Sequence, residues 1–174
     1  MTFKIESCSL AGLFYFTDIH IALYAMDILG RYDRVDLPAL GLFDIHAKID
    51  TGAYTSSLHC HHVHIVDGIL EFILLDEEHS EFTGTKLRFA EFALRDIKNS
   101  FGEIERRYVI STTLKIFNQE ITTEFSLCNR GSLKFPILIG RKILRNRFLI
   151  DVKKKDLSYK QKRRQRIGLR KKHS

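Results

Sequence analysis

The chain has 174 residues, 44% hydrophobic and 28% charged, a composition that excludes a wholly disordered protein and suits one domain with its own core. The formal net charge of +7 is unevenly placed: residues 152–174 hold eleven Lys or Arg against one acid, while residues 1–151 hold 17 basic against 20 acidic residues, so the basicity marks a tail and not a nucleic-acid-binding face on the body. Three irregularly spaced cysteines, Cys8, Cys60 and Cys128, argue against a disulfide framework and for a reducing compartment.

Residues 1–27 differ in texture from the rest and read as an N-terminal extension. Their apolar stretch at 9–16 is broken by Asp18 and His20. It falls short of the roughly 20 apolar residues a membrane helix needs, and no clean signal cleavage site follows. A cytoplasmic protein with no membrane partner is therefore expected. From Ile28 onward, short apolar runs alternate with turn residues. Residues 37–41 read as a loop, and 46–49 as a strand running into Asp50-Thr51-Gly52, where glycine permits a turn and close backbone approach. A strand over 56–66, the turn signal Asp67-Gly68 and a return strand over 69–75 form a hairpin. Further strands are expected at 86–94, 105–110, 112–117 and 121–127, with Asn118-Gln119 as a turn. An apolar run at 136–139 ends in Gly140, residues 141–145 form one or two helical turns, and 148–152 form the last strand. This density of short strands predicts an all-β barrel or sandwich with one short C-terminal helix.

Asp50-Thr51-Gly52-Ala53 is the segment with the clearest chemistry. Aspartic peptidases use two carboxylates that share one water and one proton. Like charges about 3 Å apart cannot both ionise, so one carboxyl acts as base while the protonated one polarises the scissile carbonyl. Glycine after Asp-Thr lets backbone N–H groups reach the carboxylate, and Thr51 is placed to bond across to a second such loop. About 85 residues downstream, Phe135-Pro-Ile-Leu-Ile-Gly-Arg-Lys-Ile-Leu144 has an apolar-apolar-Gly-Arg-x-x-Leu pattern.

Together these two segments resemble the retropepsin-like aspartic endopeptidases, and more narrowly the bacterial branch named ATP-dependent zinc proteases that is associated with ATP-grasp glutamate ligases. The resemblance runs from about residue 30 to 159. It rests on Leu37-Pro38, on 47–53 followed by 55–59, on 97–102 and 105–110, on Asn129-Arg130, on 135–144 and on 148–152, in that order. It implies a retropepsin-like closed barrel over 28–159; outside the resemblance, the composition of residues 160–174 reads as a basic, disordered tail. It also implies Asp50 as the catalytic aspartate, with Thr51, Gly52 and Ala53 shaping its loop. Gly140 lets an apolar strand pack beside that loop, and Arg141 supports it through a buried ion pair. One Asp-Thr-Gly per chain implies a homodimer, one Asp50 from each copy, acting on a peptide or protein substrate that includes glutamate tails.

Other readings stand beside this one. His59-Cys60-His61-His62-Val63-His64 is rich in metal ligands, and on a regular strand Cys60, His62 and His64 share one face. With His46, His79 or Asp67 as a further ligand, that face suits a zinc-dependent hydrolase; the plainer reading is a polar strand face and no cofactor. No phosphate-binding Gly-x-x-x-x-Gly-Lys loop is present, so an ATP requirement would come from a partner. Ser56 and Ser57 are strand neighbours pointing to opposite faces, not a nucleophile pair. Cys60 and Cys128 read as small core residues. Ser100-Phe101-Gly102 reads as the tip of a flap over the site or as a simple turn. A third function class is a catalytically silent binding module whose tail docks nonspecifically on a polyanion.

Overall fold

The computed structural model describes residues 26–98, 102–129 and 134–172, so the N-terminal extension lies outside the described residues except for its last two positions. Among these residues eleven strands follow in chain order: β1 (Asp27–Leu29), β2 (Tyr32–Leu37), β3 (Leu42–Ile49), β4 (Ser56–Val66), β5 (Ile69–Leu74), β6 (Lys86–Phe89), β7 (Ala93–Lys98), β8 (Ile104–Ile116), β9 (Gln119–Cys128), β10 (Ile137–Ile139) and β11 (Phe148–Ile150). Two α-helices among the described residues, α1 (Arg141–Leu144) and α2 (Leu157–Lys172), lie in the C-terminal third. The loop expected at 37–41 contains a 3-10 turn at Pro38–Leu40, which Gly41 closes in the left-handed region.

Strands β10, β3, β2, β8, β9 and β4 lie side by side in that order, and a further pairing of β10 with β4 closes the ring. The expected closed barrel is thus present. The long β8–β9 ladder shows how the sequence builds it: Ile110, Thr112, Leu114 and Ile116 alternate inward against Ile121, Thr123, Phe125 and Leu127. A second apolar layer forms where β5 and β6 extend the sheet beyond β4, with Leu70, Phe72 and Leu75 fully buried and Phe72 stacked on Phe89.

Three local expectations change. The strand expected over 86–94 is two strands, because Phe89 pairs with Leu70 of β5 whereas Ala93 pairs with Val109 of β8. The two strands expected over 105–117 are one, since Ser111 stays in register with Glu124. The hairpin turn is Phe117-Asn118, one residue earlier than expected, with Phe117 at φ +53. Asp67-Gly68 turns as expected, both residues at positive φ, the pairing of backbone twist that a two-residue hairpin favours.

The tail is not disordered where it is described: α2 runs from Leu157 to Lys172 and packs on β2. The cause is the acidic excess of the body. Fully buried Asp33 accepts the N–H groups of Ser158 and Tyr159 at 2.8 and 3.1 Å, which caps the helix start. Lys162 then bridges Asp36 and Asp44 at 2.6 Å each, and Arg166 meets Asp44 at 3.3 Å. Burial pushes the Asp33 carboxyl above its ordinary range, against the lowering effect of the N–H groups it accepts. No helix among the described residues is long and apolar enough to cross a membrane.

Candidate active site

Asp50 stands directly after β3, where the chain leaves the barrel and turns. Its N–H donates to Ile139 O of β10 at 2.9 Å, and its Oδ1 accepts the N–H groups of Gly52 and Ala53 at 3.0 and 3.2 Å. Both backbone bonds fall on one oxygen, which leaves Oδ2 without a bonded partner among the described residues. A Cβ on residue 52 would lie 3.2 Å from that same Oδ1, so glycine keeps the turn tight around the carboxylate.

Strand β10 is wedged between β3, to which it runs parallel, and β4, to which it runs antiparallel, with Ile139 opposite Ile49 and Leu138 opposite Ser57. Gly140 then passes so close to the loop that an added Cβ would meet Thr55 backbone atoms at 2.8 Å and Tyr54 O at 2.9 Å. Its N–H donates to buried Ser56 Oγ at 3.0 Å, while the Arg141 and Lys142 N–H groups donate to Ala53 O and Tyr54 O at 2.9 and 3.0 Å. Arg141 does not make the expected buried ion pair with any described residue. Its guanidinium is exposed and donates to Thr51 O and Gly52 O at 2.9 and 2.7 Å. The loop's backbone leaves these carbonyls without ladder partners, and a planar multi-donor fork satisfies two of them at once. Asp50, Thr51, Gly52, Ala53 and Arg141 are therefore one hydrogen-bonded unit, with Gly140 packed against the same loop.

A cleft of about 780 Å³ opens on this unit. Residues of the 50–57 segment, Ser126, Leu138 and Arg141 line one part of it; Asp96, Ile97 and Lys98 of β7 and Arg107 of β8 line another. The β7–β8 hairpin thus reaches the cleft, although its tip, the flap expected at 100–102, lies largely outside the described residues. Asp96 is committed to Arg106 at 3.2 Å and Arg107 to Glu105 at 2.6 Å. Sequence reading missed Lys98 and Arg107 as cleft residues, because only the hairpin's fold over the barrel brings them there.

The histidine-rich strand does not form the ligand face of the alternative zinc reading. Cys60 is wholly buried in the core and burial pushes its thiol up to about 12, which disfavours the thiolate a metal needs. A β-bulge between His61 and His64, with His62 at φ +52, then breaks the period of two and leaves His62 and His64 exposed. Cys60, His62 and His64 therefore do not fit a shared metal. Of the further ligands considered, Asp67 sits in the hairpin turn, and burial holds the His46 imidazole below its ordinary range. What the fold does bring together is His59, Asp76 and His79, whose ligand atoms all lie within 4.8 Å of one another. Of these the sequence reading named His79 as a further ligand and passed over Asp76; the Asp-x-x-His spacing just after a strand was the available signal.

A carboxylate held by backbone N–H groups on one oxygen, at the edge of a cleft, is suited to accept a proton from a water on its other oxygen. Residues 28–161 match the family model described as "RimB-like: Retropepsin-like aspartic endopeptidase RimB". Similar curated proteins include a "Probable alpha-L-glutamate ligase" from Shewanella halifaxensis, 32% identical over 128 residues, 71% of this chain and 28% of the ligase. Another of the same name, from Desulfotalea psychrophila, is 33% identical over 131 residues, 73% of this chain and 28% of the ligase. The chain thus spans under a third of the length of these relatives. A solved Legionella pneumophila protein of unknown function shares the fold, with a TM-score of 0.60 and 22% identity over 76% of this chain and 98% of that one.

Proposed function

The chain belongs to the RimB-like family of retropepsin-like aspartic endopeptidases, and from that membership we propose that it hydrolyses peptide bonds with a water activated by Asp50 and by the Asp50 of a second copy. The observation that carries the reading is the Asp50 unit: a carboxylate anchored through Oδ1 by Gly52 and Ala53, braced by Gly140 and Arg141, beside a cleft of about 780 Å³. In the dimer, one carboxylate takes a proton from the water as its oxygen attacks the scissile carbonyl carbon. The partner carboxylic acid donates to the carbonyl oxygen, and the departing amine leaves protonated when the C–N bond breaks. Each chain contributes one Asp-Thr-Gly, and Thr51 lies in the same exposed loop, where it can bond to its counterpart.

Acidic peptides, glutamate tails among them, are the proposed substrate class. Lys98, Arg107 and Arg141 line the cleft, and Lys98 has no ion-pair partner among the described residues. The ligase names of the relatives in which a related segment occurs point the same way. The test is cleavage of a glutamate-tailed peptide and a neutral control by wild type and Asp50→Asn at pH 5 and 7, with and without EDTA. Cleavage of the acidic peptide, lost in Asp50→Asn and kept in EDTA, is expected. Cleavage that survives Asp50→Asn overturns the mechanism, and equal cleavage of the neutral peptide overturns the substrate class.

The second reading, a polyanion-docking module, is favoured by one observation. Helix α2 is fixed to the barrel through Lys162 and Arg166, which leaves exposed Arg163 and Arg164 on an ordered scaffold. Salt-sensitive RNA binding that persists in Asp50→Asn and falls in an Arg163→Ala/Arg164→Ala variant would support it.

A further inference from the structure

Between β5 and β6, residues 75–85 pair with no strand. The segment is held by short turns, with His79 N–H donating to Asp76 O and Phe82 N–H to His79 O at 3.0 Å each, and by Phe82 lying 6.1 Å from the His61 ring. At its start Leu75 is fully buried at φ +62, a left-handed conformation that is strained for a non-glycine residue. That bend, together with a bond from Leu75 N–H to His59 O at 3.2 Å, returns the chain toward β4 and places the Asp76 carboxylate beside His59. Strain of this kind persists where the surroundings hold it and is frequent at ligand clamps.

The three side chains meet closely. Asp76 Oδ2 lies 2.9 Å from His59 Nε2 and Oδ1 lies 2.6 Å from His79 Nδ1, with the two imidazole centroids 5.4 Å apart. His59 is 1% exposed, His79 14% and Asp76 26%, so the cluster is walled in and opens on the carboxylate side. One strand repeat beyond His59, His61 Nε2 is enclosed and makes no hydrogen bond to a described residue. None of His59, Asp76 and His79 lines the Asp50 cleft.

The geometry points to a divalent metal site of the zinc class formed by His59, Asp76 and His79, which fastens the 76–82 loop to β4 and takes no part in hydrolysis. Two imidazole nitrogens and one carboxylate oxygen are the donor set of an open four-coordinate zinc centre, with water in the remaining position. Magnesium and calcium, which take oxygen ligands, are disfavoured. To bind the ion, each imidazole offers the nitrogen that now faces Asp76, and the proton on that nitrogen passes to the other ring nitrogen or to solvent. Asp76 keeps its charge and exchanges two hydrogen bonds for coordination.

The test uses the full chain, stripped with a chelator and titrated with zinc chloride by calorimetry at neutral pH, alongside thermal melting and limited proteolysis. One equivalent of zinc is expected to bind, raise the melting temperature by several degrees and slow cleavage within 76–82, while magnesium chloride does none of these. His79→Ala and the size-conserving Asp76→Asn should each weaken zinc binding at least tenfold, the roughly tenfold loss seen for a supporting group being the floor for a ligand. The His62→Ala/His64→Ala double variant and Asp50→Asn should bind as wild type, which separates this site from the proposed catalytic one. The site is overturned if zinc does not bind stoichiometrically, if binding is unchanged in both His79→Ala and Asp76→Asn, or if it is lost in the His62/His64 variant.

Discussion

Two aspartates, Asp50 and Asp76, each follow closely on the end of a strand, yet they are held in opposite ways. Asp50 is held by backbone: two N–H groups of its own turn bind one oxygen, and no side chain among the described residues bonds to it. Asp76 is held by side chains, with both oxygens taken by imidazoles and a third, longer bond from Glu78 N–H at 3.3 Å. A carboxylate anchored through one oxygen by peptide groups keeps the other oxygen for chemistry. One shared between two imidazoles serves as a clasp or a ligand, and its charge is already committed. Availability for catalysis is therefore set by what does the holding, not by the residue type.

The comparison can be broken most forcefully at Asp50. Asparagine keeps a carbonyl oxygen for both N–H groups, so Asp50→Asn should leave the melting temperature nearly unchanged while peptide cleavage falls about 10²–10⁴-fold, the range for loss of a general acid–base group. A large loss of stability instead would mean that the Asp50 charge is structural. Next in size is the packing behind the loop. Gly140→Ala forces a Cβ to within 2.8 Å of the Thr55 backbone, and should cost about 1–3 kcal/mol or more in urea unfolding, with cleavage lost in whatever still folds.

At Asp76 a smaller effect is expected. In chelator, Asp76→Asn should lose about 1–3 kcal/mol through weakened bonds to His59 and His79. Burial alone would raise the Asp76 carboxyl, but bonds from the two imidazoles hold it below its ordinary value. A lowered folded value means that the clasp's contribution is fully present above the ordinary carboxylate value of about 4 and is lost as pH falls through the folded value. The gap between wild type and Asp76→Asn, followed by urea midpoints, should therefore narrow below pH ~4. The smallest effect concerns Cys60. With its thiol pushed up to about 12 by burial, it should resist a thiol reagent at pH 8 in the native state, while half-buried Cys128 reacts before it.

Much of the Asp50 unit was legible in the amino-acid sequence, because it is built from local requirements. A carboxylate inside a glycine turn, an apolar strand ending in glycine, and Arg141 directly after it are each short-range patterns, and their order carries the resemblance. The Asp67-Gly68 hairpin and the inward alternation of β8 and β9 were legible for the same reason: backbone twist and side-chain period act within a few residues. The histidine cluster was misread because a single bulge at His62 reverses which side chains share a face, and no residue in 59–64 announces a bulge.

The sequence by itself determined the all-β class, the glycine turn at Asp50 and the glycine that must pass beside it, since steric and hydrogen-bonding rules over a few residues suffice for these. Only the tertiary structure decided the rest. Helix α2 is ordered because Asp36, 126 residues before Lys162, lies across from it. Lys98 and Arg107 line the cleft because β7 pairs with β8, and His59 meets Asp76 because a left-handed Leu75 bends the chain back. Each of these depends on which distant groups the closed barrel brings within a few ångströms, and spacing along the chain does not encode that distance.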